Sequence, residues 1–176
     1  GLNSAILAQL AGAVKVIVVG GPAHRLELAK QFGVDAVVNI EDTTAEERVA
    51  AIKAMTAGRG ADVVIEATGF PAAVKEGMAM ARDAGTYVVV GQYTNNGDIS
   101  MNPHLDINKK HLTIKGTWGI DLSHFYRSIQ IMAKHHDRFA WEKFISGHYG
   151  LHEVNQAIAD VEHHRVMKAV IDPHKK

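Results

Sequence analysis

The sequence predicts an α/β fold in which a doubly wound parallel sheet is covered by helices. Three observations lead there. Short runs rich in Val and Ile alternate with longer segments whose apolar residues recur at spacings of three and four. The short runs are apolar nearly throughout, as strands buried on both faces require. The junctions carry helix start and stop chemistry.

In chain order, Leu2 to Leu10 is predicted helical, Lys15 to Val19 a strand, and Ala23 to Phe32 a helix. Pro22 stands where a first helical turn tolerates a missing N–H, and Gly33 follows as a left-handed terminator. A strand at Ala36 to Val38 leads to a helix at Ala45 to Met55. Thr43 with Glu46, and Thr44 with Glu47, are both spaced for a capping box there. Next come a strand at Asp62 to Glu66, a helix at Ala72 to Arg82 opened by Pro71 and stopped by Gly85, and a strand at Thr86 to Gly91. Asn96-Gly97-Asp98 marks a turn before a short extended segment, Asp98 to Met101, that reads as a sheet edge. A strand at Leu112 to Gly116, helices at Leu122 to Lys134 and His152 to Glu162, and a strand at Lys168 to Ile171 complete the pattern. The 176 residues are expected to form one globular domain with a single core.

Composition narrows the function. Nineteen basic and nineteen acidic side chains give zero net charge, without the basic excess of a nucleic-acid binder. No apolar run approaches the roughly 18 to 20 residues of a membrane span, and no basic segment precedes the first apolar stretch as in an export signal. A cytoplasmic setting is therefore expected. The absence of cysteine removes disulfides, thiolate zinc sites and a thiol nucleophile. His135-His136 and His163-His164 are adjacent pairs, and neighbours on a helix point about 100° apart, so no metal site is expected from them. Asp121, Ser123 and His124 crowd one helix start, where Asp121 reads as an N-cap rather than as part of a hydrolase triad.

Doubly wound sheets bind nucleotides at the carboxyl ends of their strands, against helix N-termini. Gly1-Leu2, with Ala5, Ala8 and Ala11-Gly12-Ala13, resembles the tail of a G-x-G-x-x-G dinucleotide fingerprint whose first strand and first two glycines do not occur in this sequence. About 20 residues on, where the fingerprint expects an acidic residue for the ribose hydroxyls, the chain has Gly20 and Gly21. His24 and Arg25 come next. This leaves both NAD and NADP open: Arg25 could meet a 2′-phosphate, stack on adenine or ribose, or be a solvated helix residue.

The chain resembles the coenzyme-binding part of the medium-chain dehydrogenase/reductase superfamily, in its zinc-type alcohol dehydrogenase branch. The resemblance rests on Arg25 to Asp35, Gly58-Arg59-Gly60-Ala61-Asp62 continuing to Glu66-Ala67-Thr68-Gly69, and Gly85 to Gly91. It continues through Ile99 to Pro103, Leu112 to Gly116 and Lys168 to Pro173, and covers nearly the whole chain. It implies a Rossmann-like fold, truncated at its N-terminus, that binds NAD or NADP. It further implies a turn at Ala67, Thr68 and Gly69, and backbone contacts to the nicotinamide carboxamide from Val90, Gly91 and Gln92 and from Thr117, Trp118 and Gly119. Gly69 and Gly91 would let a flat ring approach the backbone, or simply end strands. Lys168 matches a basic residue that the family directs at the pyrophosphate, or is an ordinary strand-end lysine. Trp118 and Tyr93 are candidates for the substrate side of a cleft, or for packing.

The same resemblance places the family's catalytic zinc in another domain, so this chain alone is expected not to turn over alcohol. It also implies a homodimer formed through the edge near Ile99 to Pro103. The leading expectation is the coenzyme domain of an NAD(P)-dependent alcohol dehydrogenase. The alternatives are a non-catalytic nucleotide-binding or oligomerisation module and a part of a zinc-independent quinone-reductase relative.

Overall fold

A computed structural model describes residues 1–175. They divide into two compact units that meet in sequence between Ile120 and Asp121. The first unit runs α1 (Leu2–Leu10), β1 (Ile17–Gly20), α2 (Ala23–Gln31), β2 (Ala36–Asn39), α3 (Ala45–Met55), β3 (Ala61–Glu66), α4 (Pro71–Met80), β4 (Ala81–Val89) and β5 (Thr113–Gly116). The second holds α5 (Leu122–Lys134), β6 (Ile145–Gly150), α6 (Val154–Glu162) and β7 (Lys168–Asp172).

All the strand pairs are parallel, as helical crossovers require. The ladders fall into three sheets: β1-β2 and β3-β4-β5 in the first unit, β6-β7 in the second. Among the described residues, β1 and β3 each pair on one side only, and Val63 and Ile65 of β3 are exposed. Side chains join the two sheets of the first unit. Val38, Ile52 and Met80 form a buried cluster that gathers Ile17 and Val19 of β1 with Ala61 and Val64 of β3. Arg48 of α3 makes a bidentate ion pair with Glu76 of α4, at 2.6 and 2.8 Å, and donates to the Thr43 carbonyl.

The first sheet packs Ala5 of α1 and Ala29 of α2 against Val16 and Val34. Gln9 donates to the Phe32 carbonyl at 2.9 Å, tying the two helices together. At the start of α3 one of the two candidate capping boxes forms: Thr44 and Glu47 exchange hydrogen bonds, while the Thr43 hydroxyl donates to the Asn39 carbonyl.

Three junctions differ from the sequence reading. Pro22 is the N-cap of α2 rather than a residue of its first turn, whereas Pro71 does open α4. Helix α4 stops at Met80 because Ala81 is buried in extended conformation and pairs with Ala61, so β4 starts five residues before Thr86. The left-handed residue there is Ala84 (φ 54°), not Gly85. A Cβ at Gly85 would meet the Arg82 carbonyl at 2.8 Å. Residues 98–101 form no ladder; the chain continues into a π-helical turn at Pro103–Asn108, capped by the Asn102 side chain. Met101 packs on the core of Met78, Ala81, Tyr87 and Leu112.

In the second unit Asp121 caps α5 through the N–H groups of Ser123 and His124. Strand β6 was not legible, because Ile-Ser-Gly-His-Tyr-Gly lacks the β-branched run that marks the others. Asp160 accepts from the Tyr149 hydroxyl at 2.8 Å and from Arg165 at 2.8 Å.

Gly77 of α4 packs closely on Tyr87 of β4. Tyr87 is fully buried, and a Cβ on Gly77 would stand 2.6 Å from its ring. Gly77→Ala is therefore expected to destabilise the chain by about 1–3 kcal/mol through overpacking, despite the better helix propensity of alanine. Urea unfolding checks this, and an unchanged or raised midpoint would show that the ring can move aside.

Candidate functional site

Two groups of predicted residues gather at carboxyl ends of strands. The first is built on the β1-β2 sheet. β1 ends in Gly20, which pairs with Asn39 at the end of β2, and the chain passes through Gly21 and Pro22 into α2, which carries His24 and Arg25 in its first turn. A Cβ at Gly20 would meet nothing within 4 Å. Packing therefore does not demand a glycine there; what its absence of a side chain changes is the chemistry of the strand end. Gly21 lies against Ile40, whose side chain is half exposed beside the same strand ends. Asn39 and Ile40 did not figure among the predicted residues, because only the β1-β2 register brings them to Gly20.

Gly1 precedes α1, and Leu2 packs on the core that contains Val16, with Val18 of β1 also against it. Lys168 lies in the second unit, where it opens β7 with an exposed side chain.

The second group is built on the β3-β4-β5 sheet and centres on a residue the sequence reading did not single out for the site. Glu66, the last residue of β3, is 4% exposed. Its Oε1 accepts from the Thr68 N–H at 2.6 Å, the Thr68 hydroxyl at 2.8 Å and the Gly69 N–H at 2.8 Å. Its Oε2 accepts from the Gly91 N–H at 3.2 Å, and its main-chain carbonyl from the N–H groups of Val90 and Gly91. Burial by itself raises the pKa of this carboxyl; the donors at Gly69, Thr68 and Gly91 together outweigh it and hold the group below the ordinary glutamate range.

This arrangement explains the two glycines. A Cβ on Gly91 would stand 2.5 Å from the N–H nitrogens of Thr68 and Gly69 and 2.6 Å from the Glu66 carboxylate. A Cβ on Gly69, which has φ +78°, would stand 2.8 Å from the Gly91 carbonyl. The protein's own backbone thus excludes side chains at both positions. Asn96, from the turn after β4, donates to the Gly69 carbonyl at 2.9 Å. Thr117, just past β5, donates to the Val89 carbonyl through its N–H (3.1 Å) and its hydroxyl (3.2 Å). Trp118 is exposed and stacks on Tyr93, with ring centroids 4.6 Å apart and 13° between planes. Ala67, Thr68, Gly69, Val90, Gly91, Gln92, Thr117, Trp118 and Gly119 are therefore set on three adjacent strand ends. The Gln92 Nε2 is buried without a hydrogen-bond partner, a donor unspent within the protein.

Parallel strands alternating with helices, with glycine-lined turns at the carboxyl ends, define a Rossmann-type nucleotide-binding fold. The zinc-binding dehydrogenase family matches residues 1–134, and the chain belongs to that family. It is 29% identical to 5-exo-hydroxycamphor dehydrogenase of Pseudomonas putida over 172 residues, covering 98% of this chain and 47% of that protein. An alcohol dehydrogenase structure from Thermotoga maritima superposes with a TM-score of 0.88 at 34% identity, over 97% of this chain and 46% of the other. A putative zinc-binding dehydrogenase from Sinorhizobium meliloti, bound to NADP, gives 0.84 at 27% identity, over 98% and 49%. The chain thus spans about half the length of these relatives. Among the described residues no three His, Asp or Glu side chains converge as metal ligands, and the sequence has no cysteine. These residues do not fit a zinc site. No helix among the described residues is long and apolar enough to cross a membrane.

The depressed Glu66 pKa gives the junction a pH signature. Its stabilising contribution is complete above the ordinary glutamate value of about 4.3 and is lost as pH falls through the lower folded value. Glu66→Gln is expected to remove this part of the acid dependence, so that urea midpoints of the parent chain fall more steeply on acidification than those of the variant. Parallel acid limbs would contradict the assignment.

Proposed function

We propose that this chain binds a nicotinamide dinucleotide across the carboxyl ends of its strands, with NADP favoured over NAD, as the coenzyme-binding part of a dehydrogenase acting on a small alcohol or carbonyl compound. The carrying observation is the end of β1. The place where a ribose-binding carboxylate would repel a 2′-phosphate holds Gly20, with open space around it and His24 and Arg25 in the helix turn beyond. The S. meliloti relative bound to NADP supports the same reading. The unspent Gln92 donor fits a polar ligand at the other group of residues.

In this reading Gly1 and Leu2 at the start of α1 serve the pyrophosphate. Gly20, Gly21, His24 and Arg25 take the adenosine end. Ala67, Thr68, Gly69, Val90, Gly91, Gln92, Thr117, Trp118 and Gly119 take the nicotinamide end. When bound, the coenzyme supplies the hydride donor or acceptor. The chain's own residues bind it, orient the ring and hold it against one wall of the site.

Calorimetric titration with NADPH and NADH tests the reading. NADPH is expected to bind more tightly, and Arg25→Ala to abolish the difference. Tighter NADH binding would overturn the NADP preference, and no binding of either would overturn the coenzyme reading.

A homodimer formed through residues 99–103 belongs to the same proposal. Residues 98–101 are not engaged in any ladder, which leaves backbone donors and acceptors there for a second copy. Because Met101 packs on the core, the exposed Ser100 is the cleaner probe. Ser100→Pro removes a ladder donor and is expected to shift the mass measured by light scattering from dimer toward monomer. A monomeric parent chain, or an unaltered dimer, would exclude this interface.

A further inference from the structure

We infer that Glu66 is the positioning residue of the nicotinamide end of the site: by accepting from two separate turns, its carboxylate sets the spacing of the backbone that receives the ligand. The inference rests on the coenzyme reading. Three observations carry it.

First, Glu66 is the one buried charged side chain among the described residues, and every donor given for it is neutral: three main-chain N–H groups and one hydroxyl. Held by neutral donors alone, this carboxylate serves as an acceptor for two turns rather than as half of an ion pair. What a carboxylate adds is several acceptor positions of fixed geometry on one rigid group.

Second, its donors come from different segments. Thr68 and Gly69 belong to the turn after β3, and Gly91 to the end of β4. These are adjacent strands, so the carboxylate draws two strand ends together until the backbone of Gly91 lies against that of Gly69. Either turn alone could relax; joined through one acceptor they cannot move independently.

Third, the groups next to the joined segments are those a ligand would meet. Gln92, next in the chain after Gly91, holds its buried Nε2 without a partner. Asn96 turns back to the Gly69 carbonyl from 27 residues away. The position of Gln92 is thus set by the Gly91 N–H on Glu66, and the position of the Gly69 carbonyl by Asn96.

The test separates the two ends of the ligand. The chain and its Glu66→Gln variant are titrated by calorimetry with NADPH and NADH, and with adenosine 2′,5′-bisphosphate and ADP, which carry the adenosine half only. Glutamine keeps one acceptor but presents an amide donor to the Gly91 or the Thr68 and Gly69 N–H groups. Affinity for the dinucleotide that the parent chain binds is expected to fall roughly tenfold, the loss of about one hydrogen bond's worth of alignment. Affinity for the matching adenosine half is expected to stay within about twofold. Equal losses for both probes, or no loss for either, would overturn the positioning role while leaving the coenzyme reading intact. If the parent chain binds the adenosine halves no better than it binds the dinucleotides, and neither measurably, the coenzyme reading fails and this inference with it. Should Glu66→Gln lose its cooperative melt, Asn96→Ala, at an exposed residue, reads the same junction. It is expected to weaken dinucleotide binding several-fold and spare the adenosine half, and unchanged dinucleotide affinity would overturn the proposal.

Discussion

The first unit depends on a seam made of side chains. Its two sheets share no backbone ladder among the described residues, so their relative placement rests on the buried cluster of Val38, Ile52 and Met80 and on the Arg48–Glu76 pair between α3 and α4. Apolar packing of this kind is non-directional; a bidentate guanidinium–carboxylate pair is not, and it supplies the angular constraint that the cluster lacks. Because both partners are largely shielded from water, the interaction is screened less than a surface pair would be. The two groups of candidate site residues sit on opposite sides of this seam, one on β1-β2 and one on β3-β4-β5. A ligand that spans both reads the geometry the seam maintains.

Within the larger sheet, Glu66 performs locally what the seam performs globally. Desolvation works against its charge, and the donors at Gly69, Thr68 and Gly91 overcome that penalty. Such a fully satisfied buried acceptor is rigid in a way that an apolar contact is not, since moving any one donor leaves a charged oxygen underbonded in a low-dielectric site. The lysine at the far end of the same sheet works by a similar rule: Lys110 donates to the Met78 and Ala81 carbonyls, satisfying acceptors left over where α4 gives way to β4.

Much of this was legible in the sequence. The helix at Leu2–Leu10 stands where apolar spacing put it, those at Ala45–Met55 and Leu122–Lys134 where spacing and capping residues put them, and the Val- and Ile-rich strands are parallel as the alternation with helices required. Failures occurred where tertiary pairing overrode local preference. Met78 to Arg82 has good helical character, yet Ala81 pairs with Ala61; Ile99 to Met101 has strand character, yet Met101 is drawn onto a core. For the site, the glycines were visible but the reason for them was not. An acidic residue closing a Val-Val-Ile run, with Thr-Gly two and three residues on, is a signal for an acceptor serving turn N–H groups, and Ile65-Glu66-Ala67-Thr68-Gly69 carries it. Asn96 carried no comparable signal, because its partner is distant in sequence.

The glycines also divide the site by how freely its sequence can drift. At Gly69 and Gly91 the atoms that oppose a side chain are mostly backbone, so no compensating change of a neighbouring residue relieves the conflict, and the two positions close each other to substitution. At Gly20 a new side chain meets empty space. Mutation can therefore explore position 20 without a steric cost to the fold, while positions 69 and 91 stay closed. In a lineage built on this scaffold, position 20 is an adjustable character and the pair at 69 and 91 an inherited one.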